Sequence, residues 1–473
     1  MTPQEIKNYI LSEFHFEPTS DQLGAIEKIS EFLLHPIPHL FVLKGYAGTG
    51  KTTLMGALVR ALEKNKIKSV LLAPTGRAAK VLAKNSGKIA LTIHKKIYFR
   101  RGSDEAAYFV KAKNLHKNTL FIIDEASMIP GKSEGSFDHQ FNLLEDLFEY
   151  VYSGENCRAI FIGDGAQLPP VSEETSPALD VNYLNRKSYV KIIDHELKQV
   201  LRQELDSGIL NNATTLRNEI ALDSKKFPKF DLSIAKDVVR VGGFELEDML
   251  NTSFSKYGED ETVVICRSNK RAYQYNMQIR ARLLWREEEI EAGDKLMVVK
   301  NNYNWLDEKS EMGFIANGDI AEVQRIHGVE ERYGFKFADV SVKFLDYPNE
   351  GAKDVKIMLN TLSSEAASLT YTEFRQLLNE VKLELSEIKT AKSRYAALKK
   401  NEYLNALQVK FAWAVTCHKA QGGQWSSVFI DQGYLTREMI NKEYHRWLYT
   451  AFTRATEKLH LVNFHEDFFD VRG

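Results

Sequence analysis

Four short apolar runs mark the first half of the chain: Leu40–Leu43, Ser69–Ala73, Leu120–Ile123 and Ala159–Ile162. Each is brief and nearly continuous in its hydrophobicity, as a strand buried on both faces of a parallel sheet must be. Helical spacing fills the intervals. Leu23, Ile26, Ile29, Phe32 and Leu33 line one face of a helix that Ser20 or Asp21 can cap, and Leu54, Ala57, Leu58, Ala61 and Leu62 line another. The alternation restarts later, with Thr262–Cys266 as a strand and Asn269–Leu284 as a helix. Phe411–Thr416, Val428–Asp431 and Leu459–Val462 are further strands, and Trp447–Ala455 is a helix. Strands alternating with helices predict an α/β fold with two parallel-sheet cores.

Three stretches break this rhythm. Lys95–Lys117 is basic and aromatic, and alternation around Tyr98-Phe99 and Tyr108-Phe109-Val110 predicts a β-hairpin projecting from the first core. From Gly293 to Tyr347 the texture turns to short β-like runs, Lys295–Val299, Ile320–Gln324 and Val340–Phe344, with a tight turn at Asn317-Gly318-Asp319. These runs predict a small barrel-like insertion. Glu373–Ala406 is charged, poor in Gly and Pro, and narrowly striped with apolar residues, which predicts a protruding helical pair.

Chemistry gathers where the strands end. Leu40–Leu43 runs into Gly45-Tyr-Ala-Gly48-Thr-Gly50-Lys51-Thr52, a fit to G-x-x-x-x-G-K-[ST] in the strand–loop–helix context the motif requires. Glycines let such a loop turn several backbone N–H groups inward onto phosphate, and the following helix adds its positive end. Lys51 is placed to reach the β- and γ-phosphates of a nucleoside triphosphate, and the Thr52 hydroxyl to hold Mg²⁺. The third run ends in Asp124-Glu125, one carboxylate for water-mediated Mg²⁺ binding and a second to polarise an attacking water. The fourth ends in Gly163-Asp-Gly-Ala-Gln167-Leu-Pro-Pro-Val171, where Gln167 is either a nucleotide-state sensor or part of an ordinary turn. On spacing alone, Gln22 is as consistent with an exposed helix start as with an adenine-reading amide, and His94 reads as a structural histidine. Arg202, in Leu197–Gln203, offers one fixed cation.

Length and charge narrow the possibilities. A chain of 473 residues holds several domains, and a net charge of −1 argues against a protein that coats nucleic acid at large. A local basic, aromatic groove for a single strand remains compatible with that balance. No window approaches eighteen uninterrupted apolar residues, and the first residues lack a signal-peptide core, so a membrane span is not expected. Cys157, Cys266 and Cys417 are far apart, which suggests a reducing, cytoplasmic setting and neither a disulfide framework nor a zinc site.

Taken in order, the stretches GYAGTGKT, LLAPTGRAAK, IIDEASM, GDGAQLPPV, LRQ, AVTCHKAQG and YTAFTRA resemble the seven motifs of superfamily 1 helicases, specifically the RecD/Dda/Pif1-like branch. With Gln22 they span residues 22 to 455, nearly the whole chain, and the chain's size is similar to that of Dda-type enzymes. The resemblance implies two RecA-like P-loop domains, 1–94 with 118–200 and 201–290 with 407–473, and ATP with Mg²⁺ in the cleft between them. It further implies that 95–117 is a β-hairpin pin and that 291–406 is an SH3-like β insertion with a helical protrusion. Gln22, Gly45, Ala47, Gly48, Thr49, Gly50, Lys51, Thr52, Thr53 and Gly422 would then surround the nucleotide, with Thr52 and Asp124 on the metal. Glu125 would be the general base, Gln167 the γ-phosphate sensor, and Arg202 and Arg454 the arginine fingers. Thr75, His94, Thr416 and His418 would touch single-stranded DNA, with Tyr98 or Phe99 as the pin's tip or stacking residue.

The function so implied is ATP-dependent unwinding of duplex DNA by 5′→3′ movement on one strand, at single-strand/duplex junctions. The resemblance fits a protein that acts as a monomer, in a bacterial or phage-like, nucleoid-associated setting, beside single-strand-binding or replication and repair proteins. The alternatives are a strand-stimulated ATPase that displaces proteins and an ATP switch subunit serving protein partners.

Overall fold

The computed structural model describes the chain except residues 1, 15, 38, 102–107, 133, 137–138, 201–206, 235, 307–309, 311, 313 and 470–473. At 99–101, 108–109, 134–136 and 139–141 it describes the backbone alone. The first core is a parallel sheet of β1 (His39–Gly45), β2 (Lys68–Ala73), β3 (Ala90–Thr92), β6 (Thr119–Ile123), β9 (Arg158–Gly163) and β10 (Lys191–Leu197), in the order β10-β1-β9-β6-β2-β3. Every side chain of β6 is buried, as is all of β1 except half-buried Lys44, so the continuous apolar runs are explained by helices covering both faces. The order sets the ends of β1, β9, β6 and β2 side by side, which brings the phosphate loop and both acidic turns to one edge.

Two antiparallel hairpins leave this core: β4 (Tyr98–Arg101) with β5 (Tyr108–Lys111), and β7 (Glu134–Ser136) with β8 (His139–Phe141). The first is the predicted hairpin. The second, together with β3 and β10, was not expected. β10 reads Lys-Ile-Ile-Asp-His-Glu-Leu because it lies at the sheet's edge and is only half-buried, so its pattern is not that of a core strand.

The second core is a five-stranded parallel sheet, in the order Val238–Val241, Ala455–Val462, Trp425–Asp431, Thr262–Cys266, Ala414–Thr416. Its strands are β11 (Val238–Val241), β12 (Thr262–Cys266), β18 (Ala414–Thr416), β19 (Trp425–Asp431) and β20 (Ala455–Val462). Between β12 and β18 the chain builds a closed barrel of β13 (Lys295–Val298), β14 (Ile320–Arg332), β15 (Phe335–Phe344), β16 (Lys353–Met358) and β17 (Leu407–Phe411). The long β14–β15 hairpin turns at Tyr333 and Gly334, whose φ values of 57° and 77° are those of a primed two-residue turn.

One boundary moves. Leu407–Phe411, expected to reopen the second core, pairs with β13 and β16 and closes the barrel, and the second sheet resumes only at Ala414. Both stretches are apolar, so periodicity could not say which sheet each joins. The helical pair, Tyr371–Glu384 and Ala391–Lys400, lies against the barrel through Leu377, Val381, Phe335, Phe337 and Tyr403. Among the described residues no helix is long and apolar enough to cross a membrane, and the three cysteines are free and buried.

The barrel also touches the first core. Phe314 meets His94 with ring centroids 5.9 Å apart, and Lys80 Nζ donates to Leu345 O at 3.1 Å. A Cβ on Gly76 would lie 2.9 Å from Asp319 Oδ1 and 3.0 Å from the Tyr347 hydroxyl. Gly76→Ala should therefore cost about 1–3 kcal/mol through overpacking. Denaturant unfolding should show the loss in the earliest transition, where barrel and first core separate; an unchanged transition would contradict this contact.

Candidate nucleotide cleft and strand interface

The cleft starts from the phosphate loop. Gly48 and Gly50 have φ of 74° and 75°, left-handed values that a side chain would strain, and they wrap the loop over the start of the helix Lys51–Lys64. Gly45 is required by space: a Cβ there would meet Thr49 Oγ1 at 2.9 Å and Lys51 Cγ at 3.0 Å. Buried Thr49 donates its hydroxyl to Tyr46 O at 2.8 Å, and Lys51 Nζ donates to Gly45 O at 2.5 Å and to Tyr46 O at 2.8 Å. Thr52 is exposed at the helix start, while Ala47 and Thr53 are half-buried. Gln22 is 1% exposed and uses both ends of its amide: Oε1 accepts from Thr19 N at 2.9 Å and Nε2 donates to Thr49 O at 3.2 Å. It thus ties the capping box of its own helix to the loop.

Two turns face the loop. At the end of β6, Asp124 N donates to Leu72 O at 2.9 Å, and Glu125 turns back with φ of 50°, its amide on Asp124 Oδ1 at 2.9 Å. A non-glycine residue in this conformation carries local strain, of a kind that clusters at functional sites. Burial, reinforced by the Glu125 charge, pushes the Asp124 carboxyl well up, and the Glu125 amide and then Lys51 partly offset both. At the end of β9, Asp164 is 1% exposed, accepts from Ala166 N at 2.9 Å, and lies 3.9 Å from Lys51 Nζ. Gln167 is buried, and its Oε1 has no hydrogen-bond partner among the described residues. An acceptor in that condition is costly unless it meets a ligand or water.

The second core closes the other side. Tyr449, on the helix Lys442–Phe452, donates its hydroxyl to Asp164 Oδ2 at 2.6 Å and accepts from Ala47 N at 2.8 Å. Thr450 Oγ1 accepts from Leu168 N at 2.8 Å, and Gln421 Nε2 donates to Leu168 O at 2.7 Å. Arg217 stacks over the Tyr46 ring, 4.7 Å from its centroid. Arg454 is buried within its own domain: Nε donates to Thr450 O at 3.0 Å, Nη1 to Gly423 O at 3.1 Å, and Nη2 to Thr453 Oγ1 at 3.1 Å. Arg202 lies outside the described residues.

Gly422, expected at the nucleotide, has a left-handed φ of 71° and packs against the first core. The atoms nearest its face belong to Ala78, Thr75 and Met128 rather than to the phosphate loop. It seals the two cores together beside the helix Gly76–Ser86, whose first turn Thr75 caps by accepting from Ala78 N at 3.2 Å.

Among the residues expected at a nucleic-acid strand, Thr416 and His418 are half-buried at the start of the short helix Cys417–Ala420. Burial pushes the His418 imidazole below its ordinary range and that of His94 down to about 4. His94 is therefore neutral near pH 7 and can hydrogen-bond to a strand but cannot neutralise a phosphate. Tyr98 does not sit where a pin tip was expected. It is 6% exposed in the first core, donates its hydroxyl to Asp146 Oδ2 at 2.6 Å, and anchors the hairpin's base rather than its tip. Phe99 pairs through its backbone with Val110; its side chain and residues 102–107 lie outside what is described.

Sequence reasoning missed the cross-cleft set. Tyr449, Gln421 and Asp164 stand inside recognised motifs but as letters without a role, and Arg217 carries no motif at all.

Comparison with known proteins agrees with this architecture. A model of an AAA domain matches residues 21–230, and a model of a UvrD-like helicase C-terminal domain matches residues 411–462. An uncharacterized protein of Acanthamoeba polyphaga mimivirus is 23% identical over 93% of this chain and 98% of its own. The ATP-dependent DNA helicase dda of Enterobacteria phage T4 is 32% identical over 38% of each chain. The RecBCD enzyme subunit RecD of Buchnera aphidicola subsp. Schizaphis graminum is 22% identical over 94% of this chain and 73% of its own. Ordered motifs, the two matched models and the paired parallel sheets together make the chain similar to superfamily 1 helicases of the RecD/Dda/Pif1-like branch.

Proposed function

We propose that the chain is an ATP-dependent DNA helicase that moves 5′→3′ on single-stranded DNA and separates the duplex ahead of it. The observation that carries this reading is the cleft itself. Phosphate loop, acidic turn and Gln167 turn share one sheet edge, and a helix of the second core hydrogen-bonds to two of the three. The relatives named as DNA helicases, dda in particular, support the same activity.

The residues present fit a magnesium nucleotide. The loop supplies turned amides and Lys51, Gln167 supplies a buried acceptor without a partner, and Thr52 with Asp124 supplies hard oxygen ligands. Held by Thr52 and Asp124, Mg²⁺ would neutralise charge on the phosphates. Glu125 takes the proton of the attacking water, and Gln167 Oε1 accepts a hydrogen bond from that water and orients it. Arg454 completes the charge from the second core when the cleft tightens, with Arg202 as the second arginine finger. Because Thr75 and His94 sit on one core and Thr416 and His418 on the other, tightening shifts two grips along one strand. The hairpin Tyr98–Lys111 meets the duplex, and one stacked aromatic, at ~1–3 kcal/mol, is of the size needed to bias opening of a base pair at ~1.4 kcal/mol.

Tailed duplexes test the polarity: a 5′ single-stranded tail should support strand displacement and a 3′ tail should not. The reverse preference would overturn the direction. Replacing residues 100–109 by a short glycine-serine turn keeps the buried Tyr98 anchor. It should lower unwinding by about tenfold or more, the equivalent of one lost stacking contact, while strand-stimulated hydrolysis persists. Unwinding at the parental rate would remove the hairpin from the mechanism.

A further inference from the structure

Tyr449 is buried to 1% exposure, on a helix of the second core, yet its hydroxyl is spent wholly on the first. It accepts from the Ala47 amide of the phosphate loop at 2.8 Å and donates to Asp164 Oδ2 at 2.6 Å. Burial and the neighbouring Asp164 charge push its phenol well above the ordinary value, so the proton stays on the hydroxyl. Arg217 grips the adjacent Tyr46 ring from the same core. Tyr46 and Ala47, the first two of the four x positions of the phosphate loop, are thus both held from across the cleft.

Asp164 has two suitors. The same Oδ2 that takes the Tyr449 hydroxyl lies 3.9 Å from Lys51 Nζ. A carboxylate deprived of its hydroxyl donor strengthens its pairing with the nearest cation, and here that cation is the lysine needed by phosphate. We propose that Tyr449 is a positioning residue that couples the spacing of the two cores to nucleotide binding, by occupying Asp164 and so leaving Lys51 available. When the cores part, Tyr449 withdraws, Asp164 draws Lys51 aside, and the loop's hold on phosphate weakens. The nucleotide site therefore senses the second core through one hydroxyl, independently of any arginine finger. This inference rests on the nucleotide-binding reading above.

The test is equilibrium binding of a fluorescent non-hydrolysable ATP analogue, methylanthraniloyl adenylyl imidodiphosphate, to the full chain with and without oligothymidine. Tyr449→Phe should weaken binding about tenfold, the size expected for losing a charge-assisted hydrogen bond. Asp164→Asn in the same chain should restore affinity to within about threefold of Asp164→Asn alone, because the competitor for Lys51 has lost its charge. A hydroxyl that acts only through the Ala47 amide would give the same loss in both backgrounds, and that additive result, or the wild-type affinity in Tyr449→Phe that a space-filling ring would leave, overturns the proposal. Should Tyr449→Phe fail to fold, Asp164→Asn alone must bind the analogue more tightly than wild type in the absence of oligothymidine; unchanged affinity overturns the proposal equally. Failure of the underlying reading looks different: the wild-type chain would not bind the analogue, or Lys51→Ala would bind it as well as wild type.

Discussion

Lys51→Ala should abolish nucleotide hydrolysis and duplex separation together, with a loss of at least ~10²–10³ in turnover, the effect of deleting one preorganised charge-stabilising donor. The fold should survive. Lys51 is half-buried, and its hydrogen bonds run to Gly45 O and Tyr46 O of a loop whose path is held independently by Gly48, Gly50 and Thr49. Nothing else in the described cleft replaces it: Arg217 is engaged with the Tyr46 ring and Arg454 with its own domain. Steady-state phosphate release and a strand-displacement assay read the two losses, and unaltered far-ultraviolet circular dichroism confirms the fold. A variant with normal turnover would contradict the assignment of the phosphate loop.

Arg454→Ala should retain nucleotide binding and lose hydrolysis by about 10³ or more, the usual worth of an arginine finger. The structure adds a second effect to that expectation. The guanidinium serves Thr450 O, Gly423 O and Thr453 Oγ1, so its removal strips partners from two buried carbonyls and should lower the unfolding temperature as well. Thr450 also accepts from Leu168 N across the cleft, which makes Arg454 part of the frame that holds the Gln167 turn. Comparing nucleotide affinity with turnover separates the roles: a turnover defect at preserved affinity marks the finger, whereas equal loss of both assigns Arg454 to structure.

Much of this was legible beforehand, for definable reasons. Strand-to-loop transitions at Gly45, Asp124 and Gly163 could be placed because a strand buried on both faces reads as an apolar run that ends abruptly in polar residues. The hairpin, the barrel insertion and the helical pair were visible as breaks in that rhythm. Tyr98 was misplaced because an aromatic in a hairpin looks the same at base and tip; only its burial and its bond to Asp146 distinguish them. The edge strand β10 was missed because an edge position admits polar side chains, and the boundary at 407 fell several residues early because apolar runs do not name their neighbours.

What the sequence alone determined are the local devices: a glycine loop that must turn amides inward, two acidic strand ends, and the strand–helix units of an α/β rhythm. Each depends on residues within about ten positions of one another, where backbone sterics and periodicity act directly. Only the tertiary structure decided who meets whom across the cleft. Ala47 and Tyr449, or Gln421 and Leu168, are separated by hundreds of residues, and their contacts depend on how two sheets are set against each other. The same holds for the phosphate loop: its shape was written locally, but its grip by Tyr449 and Arg217 exists only because the second core packs over it.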